Sequence, residues 1–80
     1  MPAAKNGDPV SARELAKAAN VPYNTIDYWS ERDLLVYDIS KRQRWYDRKR
    51  NVRRVTLIRQ LQNRGYSIKA ILDEIKRREF

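Results

Sequence analysis

Val10-Ser11-Ala12-Arg13-Glu14-Leu15-Ala16-Lys17-Ala18-Ala19-Asn20-Val21-Pro22-Tyr23-Asn24-Thr25-Ile26-Asp27-Tyr28-Trp29 is the stretch that decides how this chain folds. Ser11, followed three residues later by Glu14, is a capping box: the hydroxyl caps the first turn and the carboxylate returns to the Ser11 amide. Val10 and Leu15 stand at the two positions of a hydrophobic staple. A first helix is therefore expected over about Ala12–Ala19, burying Leu15, Ala16 and Ala19. Asn20 follows where helices often end on a left-handed residue, which Asn tolerates better than most. Pro22 suits the start of a second helix, where its missing amide hydrogen costs nothing. That helix is expected over roughly Tyr23–Arg32, with Ile26 and Trp29 in the core and Tyr23, Asn24, Thr25, Asp27 and Tyr28 opposite. Two short helices joined by a brief turn form a helix-turn-helix, whose second helix offers its N-terminal residues to a major groove. An ordinary helical hairpin is the competing reading.

Downstream, Leu34-Leu35-Val36-Tyr37 and Gln43-Arg44-Trp45-Tyr46 read as two short strands. The residues between them, Asp38-Ile39-Ser40-Lys41-Arg42, lack the Gly or Asn-Gly of a tight turn, so a longer, mobile loop is expected. A basic hairpin directly after a helix-turn-helix is a wing. A third helix is expected from about Lys49 to Arg64, with Val52, Val55, Ile58 and Leu61 repeating every three residues beside Leu57. Gly65 ends it, and Ser67 caps a fourth helix carrying Ile68, Ile71, Leu72 and Ile75. The expected fold class is mainly α with a small β-hairpin wing, a winged helix-turn-helix followed by a second helix pair. Residues 1–9 are expected to form a flexible leader and 10–80 a single domain.

Charge is distributed unevenly. Ten of the 18 basic residues fall within residues 41–64, where Asp47 is the only acid, so the net charge of +8 resides in that central stretch. A localised basic field beside a reading element is the footprint of a nucleic-acid binder, whereas a solvated surface spreads its charge. Arg48, Lys49 and Arg50 begin the third helix, where its dipole is positive, and each is unfavourable there by a few tenths of a kcal/mol. Nearby phosphates would reverse that sign. The alternative is a helix that starts later and leaves these side chains in a loop.

Composition narrows the remaining classes. Eighty residues allow one small domain with a modest core. The chain has no cysteine and no histidine, which removes disulfides, thiolate metal sites, the usual general base and the usual pH switch. An enzyme is not expected, nor is a cofactor. No apolar run approaches membrane-spanning length and the first seven residues lack the apolar core of a signal peptide, so a cytoplasmic, nucleoid-associated protein is expected.

The chain resembles the DNA-binding domain of the MerR family over about residues 10–76. The resemblance rests on Val10-Ser11, Glu14-Leu15-Ala16, Val21, Thr25-Ile26, Tyr28-Trp29, Glu31-Arg32 and Leu34-Leu35. Arg44 and Tyr46 after the hairpin, and Leu61 with Gly65-Tyr66-Ser67-Ile68 and Ile71, complete the ordered set. It implies a regulator whose dimers bend and untwist promoter DNA between two recognition elements. Family regulators continue into a long helix that dimerises as an antiparallel coiled coil. No heptads sustain such a seam here, so homodimerisation of a parent protein would fall to a region absent from this sequence. The chain reads either as the DNA-binding fragment of a longer regulator or as a stand-alone member. Three departures stand out. Asp27 occupies a position where the family usually has Arg, Asn20 and Asp33 replace two customary glycines, and residues 46–52 are one residue longer than usual. Asp27 then either reads a base amine, with cytosine the candidate, or holds a neighbouring Arg in place, unless a contact is simply lost.

Candidate DNA-binding residues follow from these elements. Tyr23, Asn24, Thr25 and Asp27 are placed to reach base edges, where Asn pairs with adenine and Thr meets a thymine methyl. Tyr28, by its family counterpart, is implied to bond a phosphate. Arg13 and Lys17 can track the backbone from the first helix, and Lys41, Arg42 and Arg44 can do so from the wing. The Arg48–Arg54 cluster, including Lys49 and Arg53, should touch phosphate and add affinity without sequence choice. Trp29 has core spacing, Tyr46 should pack near the second helix, and Trp45 faces the other side of its strand as a half-buried or stacking aromatic. The expected partner is double-stranded DNA, bound sequence-specifically in transcription regulation. Alternatives are a phage- or plasmid-type architectural factor, such as an excisionase or terminase small subunit, and a module docking an acidic, DNA-mimicking antirepressor protein.

Overall fold

The capping box forms in the computed structural model of the chain, which describes residues 9–78. The Ser11 hydroxyl accepts from the Glu14 amide at 3.2 Å, and the Glu14 carboxylate accepts from the Ser11 amide at 3.0 Å. The bond from the Ser11 backbone is the main cause that holds the Glu14 carboxyl below the usual carboxylate range. This cap opens α1 (Ala12–Ala19), which buries Leu15 and Ala16 and half-buries Ala19. Asn20 closes it in the left-handed region, φ 57°, its amide returning to the carbonyls of Ala16 and Lys17. Pro22 then stands at the N-terminal boundary of α2 (Tyr23–Glu31), with no side-chain cap, and the helix buries Ile26, Trp29 and Ser30. Asp33, at φ 63°, turns the chain out of α2, so both residues that stand in for the family's glycines adopt glycine-like backbone.

The segment after α2 departs from the sequence expectation. Leu34 and Leu35 are consecutive and both buried, at 0% and 4% exposure, and residues 34–36 pair with no strand among the described residues. Residues 34–36 are a connection packed into the core, and the first wing strand lies later. The sheet holds three antiparallel strands, β1 (Pro9–Val10), β2 (Tyr37–Ser40) and β3 (Gln43–Asp47), in the order β1-β3-β2. Pro9 pairs with Asp47 and Val10 with Tyr46, so Pro9 belongs to the sheet and not to a leader. The rest of the expected leader lies outside the described residues.

The wing tip is tighter than its composition predicts. Tyr37 pairs with Tyr46 and Ser40 with Gln43, which leaves only Lys41 and Arg42 to reverse the chain. Both take positive φ, 53° and 64°, the requirement of the two-residue turn whose twist matches the strands. The register is fixed by the burial of Tyr46 beneath α2, and the turn residues must comply although neither is Gly or Asn. Strand pairing overrides local preference here.

Asp47 ends β3 and caps α3 (Arg48–Asn63), accepting from the Arg50 amide at 3.1 Å. The helix therefore begins at Arg48, and its three leading cations do occupy the first turn, partly offset by the Asp47 carboxylate. Gly65, at φ 87°, supplies the left-handed link to α4 (Ile68–Arg78), whose first turn is capped by the Ser67 hydroxyl. Leu15, Ile26, Leu34, Ile58 and Ile71 are all fully buried, each burial worth about 1.5–3 kcal/mol.

Asn51 joins the halves of the fold. It is fully buried on α3, and its Oδ1 accepts from the Val36 amide at 2.7 Å. Its Nδ2 donates to the carbonyls of Val36 at 2.8 Å and Asp47 at 2.7 Å. One side chain thus serves Val36 as a neighbouring strand would, and the connection needs no ladder of its own. Asn51→Ala removes three bonds and leaves half-buried backbone groups of Val36 and Asp47 without that partner, so a loss of about 2–3 kcal/mol is expected from urea unfolding. Asn51→Asp should cost as much, because a carboxylate supplies no donor to the two carbonyls.

Candidate nucleic-acid interface

At 3.6 residues per turn, burial of Ile26, Trp29 and Ser30 sets Asn24 and Tyr28 in the middle of the open face of α2. Tyr23, 47% exposed, and Tyr28, 43% exposed, project from its two ends. Asp27 lies on the edge toward the wing. Thr25 lies on the other edge and, like Asp27, is half-buried.

Cations are seated on both tyrosines. The Arg13 guanidinium of α1 lies 5.5 Å from the Tyr23 ring centre, and that of Arg32, just past α2, lies 4.4 Å from the Tyr28 ring centre. Cation–π contacts of exposed groups are worth about 0.5–1 kcal/mol each, enough to orient a side chain. Arg32 enters the sequence reading only through the family resemblance and not as a DNA contact. Its position one turn beyond Tyr28 on the same face was the available signal.

The wing docks on α2 through two polar contacts. Ser30 donates its hydroxyl hydrogen to the Ile26 carbonyl at 2.7 Å, so Tyr46 must be the donor in the 2.6 Å bond between their hydroxyls. Burial pushes the Tyr46 phenol up, with the Ser30 bond opposing, and the phenol keeps its hydrogen. One step further out, Arg44 Nη1 donates to Asp27 Oδ1 at 2.6 Å, and the same guanidinium lies 5.1 Å from the centre of the Tyr37 ring. Burial works against the Arg44 charge, but the Asp27 bond opposes it and the guanidinium is held more firmly than usual. Arg44 is half-buried and spans wing and helix instead of projecting freely.

Beyond this pair the surface opens into a groove of about 700 Å³ between the start of α1, the start of α2 and the wing. Arg13, Tyr23, Asp27, Arg42, Gln43 and Arg44 line it, with the exposed Ile39 on its wing side. A second groove runs past Arg13, Lys17 and Tyr23 at the turn between the helices. The fold therefore brings together Arg13, Lys17, Tyr23, Asp27, Arg42 and Arg44. Lys41 is exposed at the wing tip, while Arg48, Lys49 and Arg53 are exposed along α3 and line neither groove.

Besides Arg44, two further central arginines serve the fold. Arg54 is half-buried and donates to the Leu34 carbonyl at 3.2 Å, and its burial, with Arg50 nearby, works against its charge. Arg59 donates to the Asn20 carbonyl at 3.3 Å, tying α3 to the end of α1. The basic run is thus divided between a surface and a set of internal ties. Trp45, opposite Asp38 on the other face of the wing, is half-buried.

Helix-turn-helix, three-stranded sheet with its basic hairpin, and second helix pair define a winged helix-turn-helix of the kind used in DNA binding and transcription regulation. The family model for MerR HTH family regulatory protein matches residues 10–77, and the chain belongs to that family. No curated protein and no solved structure gives a significant match. Among the described residues, no helix is long and apolar enough to cross a membrane.

The strained turn at the wing tip can be relieved. Replacing Lys41 and Arg42 by Asn and Gly, residues at ease with positive φ, should raise stability by about 1–2 kcal/mol in thermal or urea unfolding. An unchanged midpoint would mean that the turn carries no strain.

Proposed function

We propose that the chain binds double-stranded DNA sequence-specifically as the DNA-binding part of a transcription regulator, with α2 in the major groove. The observation that carries this reading is the open face of α2, whose Tyr23 and Tyr28 each hold an arginine at opposite ends of the helix. Asn24 lies between them, at the position from which a recognition helix reads base edges. Arg13, Lys17 and Arg32 then bond phosphates on either side of the groove. Tyr28 adds its phenol to that set.

The wing reaches the neighbouring backbone with Lys41 and Arg42 at its tip. Arg48, Lys49 and Arg53 on α3 extend the phosphate-binding surface, and the charge of Arg48 and Lys49 at the positive end of that helix is relieved when an anion approaches. These contacts supply affinity and register, while sequence choice falls to α2. A single copy contacts one half-site, so binding is weak and modestly selective.

Fluorescence anisotropy of a labelled mixed-sequence duplex tests the reading. With about six phosphates engaged, affinity should fall about a thousandfold between about 50 and 200 mM salt. Absence of binding at the lower salt would sink it and point to an acidic protein partner. Arg32→Ala should weaken binding to all duplexes alike and flatten the salt slope by about one. A change confined to particular sequences would instead place Arg32 on a base.

A further inference from the structure

A carboxylate on a helix that enters the major groove repels the duplex backbone, so phosphate binding does not account for Asp27. Its geometry offers another use. Oδ1 takes the Arg44 Nη1 at 2.6 Å, which fixes the side chain and offsets its charge. No other bond to this carboxylate occurs among the described residues, although an ionised carboxylate offers about four lone-pair sites. The side chain remains 44% exposed, lines the groove between α2 and the wing, and sits one turn from Tyr23. It is an anchored acceptor with capacity to spare.

Base chemistry narrows what that acceptor can meet. In the major groove guanine presents N7 and O6 and thymine presents O4, all acceptors that repel a carboxylate. Adenine offers its N6 amine beside the acceptor N7. Cytosine alone presents a donor amine with no acceptor on the same base. Resting on the DNA-binding reading above, we infer that Asp27 is a specificity-determining residue that accepts a hydrogen bond from a cytosine N4 amine. Arg44 is its positioning residue, holding the carboxylate at the wing-side edge of α2.

The test is selection of binding sites from randomised duplexes at about 50 mM salt, where backbone contacts are strong, by the full chain and by Asp27→Asn. Asparagine keeps an oxygen for Arg44, so the wing stays docked, and thermal unfolding of both proteins checks this. The full chain should enrich cytosine at one position that Asp27→Asn converts to adenine, whose N6 and N7 suit an amide, with other positions unchanged. Placing N4-methylcytosine at that position turns a methyl into the groove in place of the N–H. It should weaken the full chain about tenfold and leave Asp27→Ala unaffected. Identical base profiles for the full chain and Asp27→Asn, or indifference to N4-methylcytosine, would overturn the inference and leave Asp27 as a strut for Arg44. If the full chain selects no duplex, the DNA-binding reading falls together with it. A selected site in which no position responds to Asp27 leaves that reading standing and this one refuted.

Discussion

The seam between α2 and β3 fixes everything else about the surface. Asp27 and Ser30 are three residues apart on the helix, and Arg44 and Tyr46 two apart on the strand, so each helix position meets one strand position on the same face. The two spacings, about 4.5 Å along a helix and about 6.7 Å along a strand, differ by a length that Arg and Tyr side chains absorb. The inner contact is buried, and losing either hydroxyl there would leave the other without its partner. The outer contact is half-exposed and contributes little to stability, but it sets where the wing stands relative to the helix. Buried Tyr46 also decides the strand register, and with it the turn at Lys41 and Arg42.

The basic residues divide by what the fold asks of them. Arg44, Arg54 and Arg59 each bond a group of another element, namely Asp27, the Leu34 carbonyl and the Asn20 carbonyl. Their heads reach carbonyls or a carboxylate, a use for which the planar, always-charged guanidinium is suited. Arg13 and Arg32 rest on aromatic rings at the two ends of α2, which limits their freedom before any ligand arrives. On the proposed DNA-binding reading, ordering these side chains in advance lowers the entropy lost when they bind.

Strain is concentrated in the same region. Among the described residues four other than glycine have positive φ, and two of them, Lys41 and Arg42, form the wing tip. Asn20 and Asp33 are of types that accept that geometry, whereas a lysine and an arginine are not. Conformations of this kind persist where the surrounding structure over-determines them and cluster at functional sites. Two cations held at a hairpin tip, against local preference, fit that pattern.

Local chemistry determined much of the chain from sequence alone. The capping box at Ser11 and Glu14, the left-handed stops at Asn20 and Gly65, and the periodic apolar residues of α3 and α4 each act within a few residues. Their outcome therefore shows in the order of residues, as does the concentration of positive charge. What the tertiary structure decided involves partners far apart in the chain. Strand β1 exists because β3 offers it an edge, and residues 34–36 stay out of the sheet because Asn51 satisfies Val36 from α3. The two-residue wing turn follows from a register set by Tyr46 beneath Ser30. Sequence left two fates open for Asp27, and its pairing with Arg44, 17 residues away, emerged only once helix and wing met.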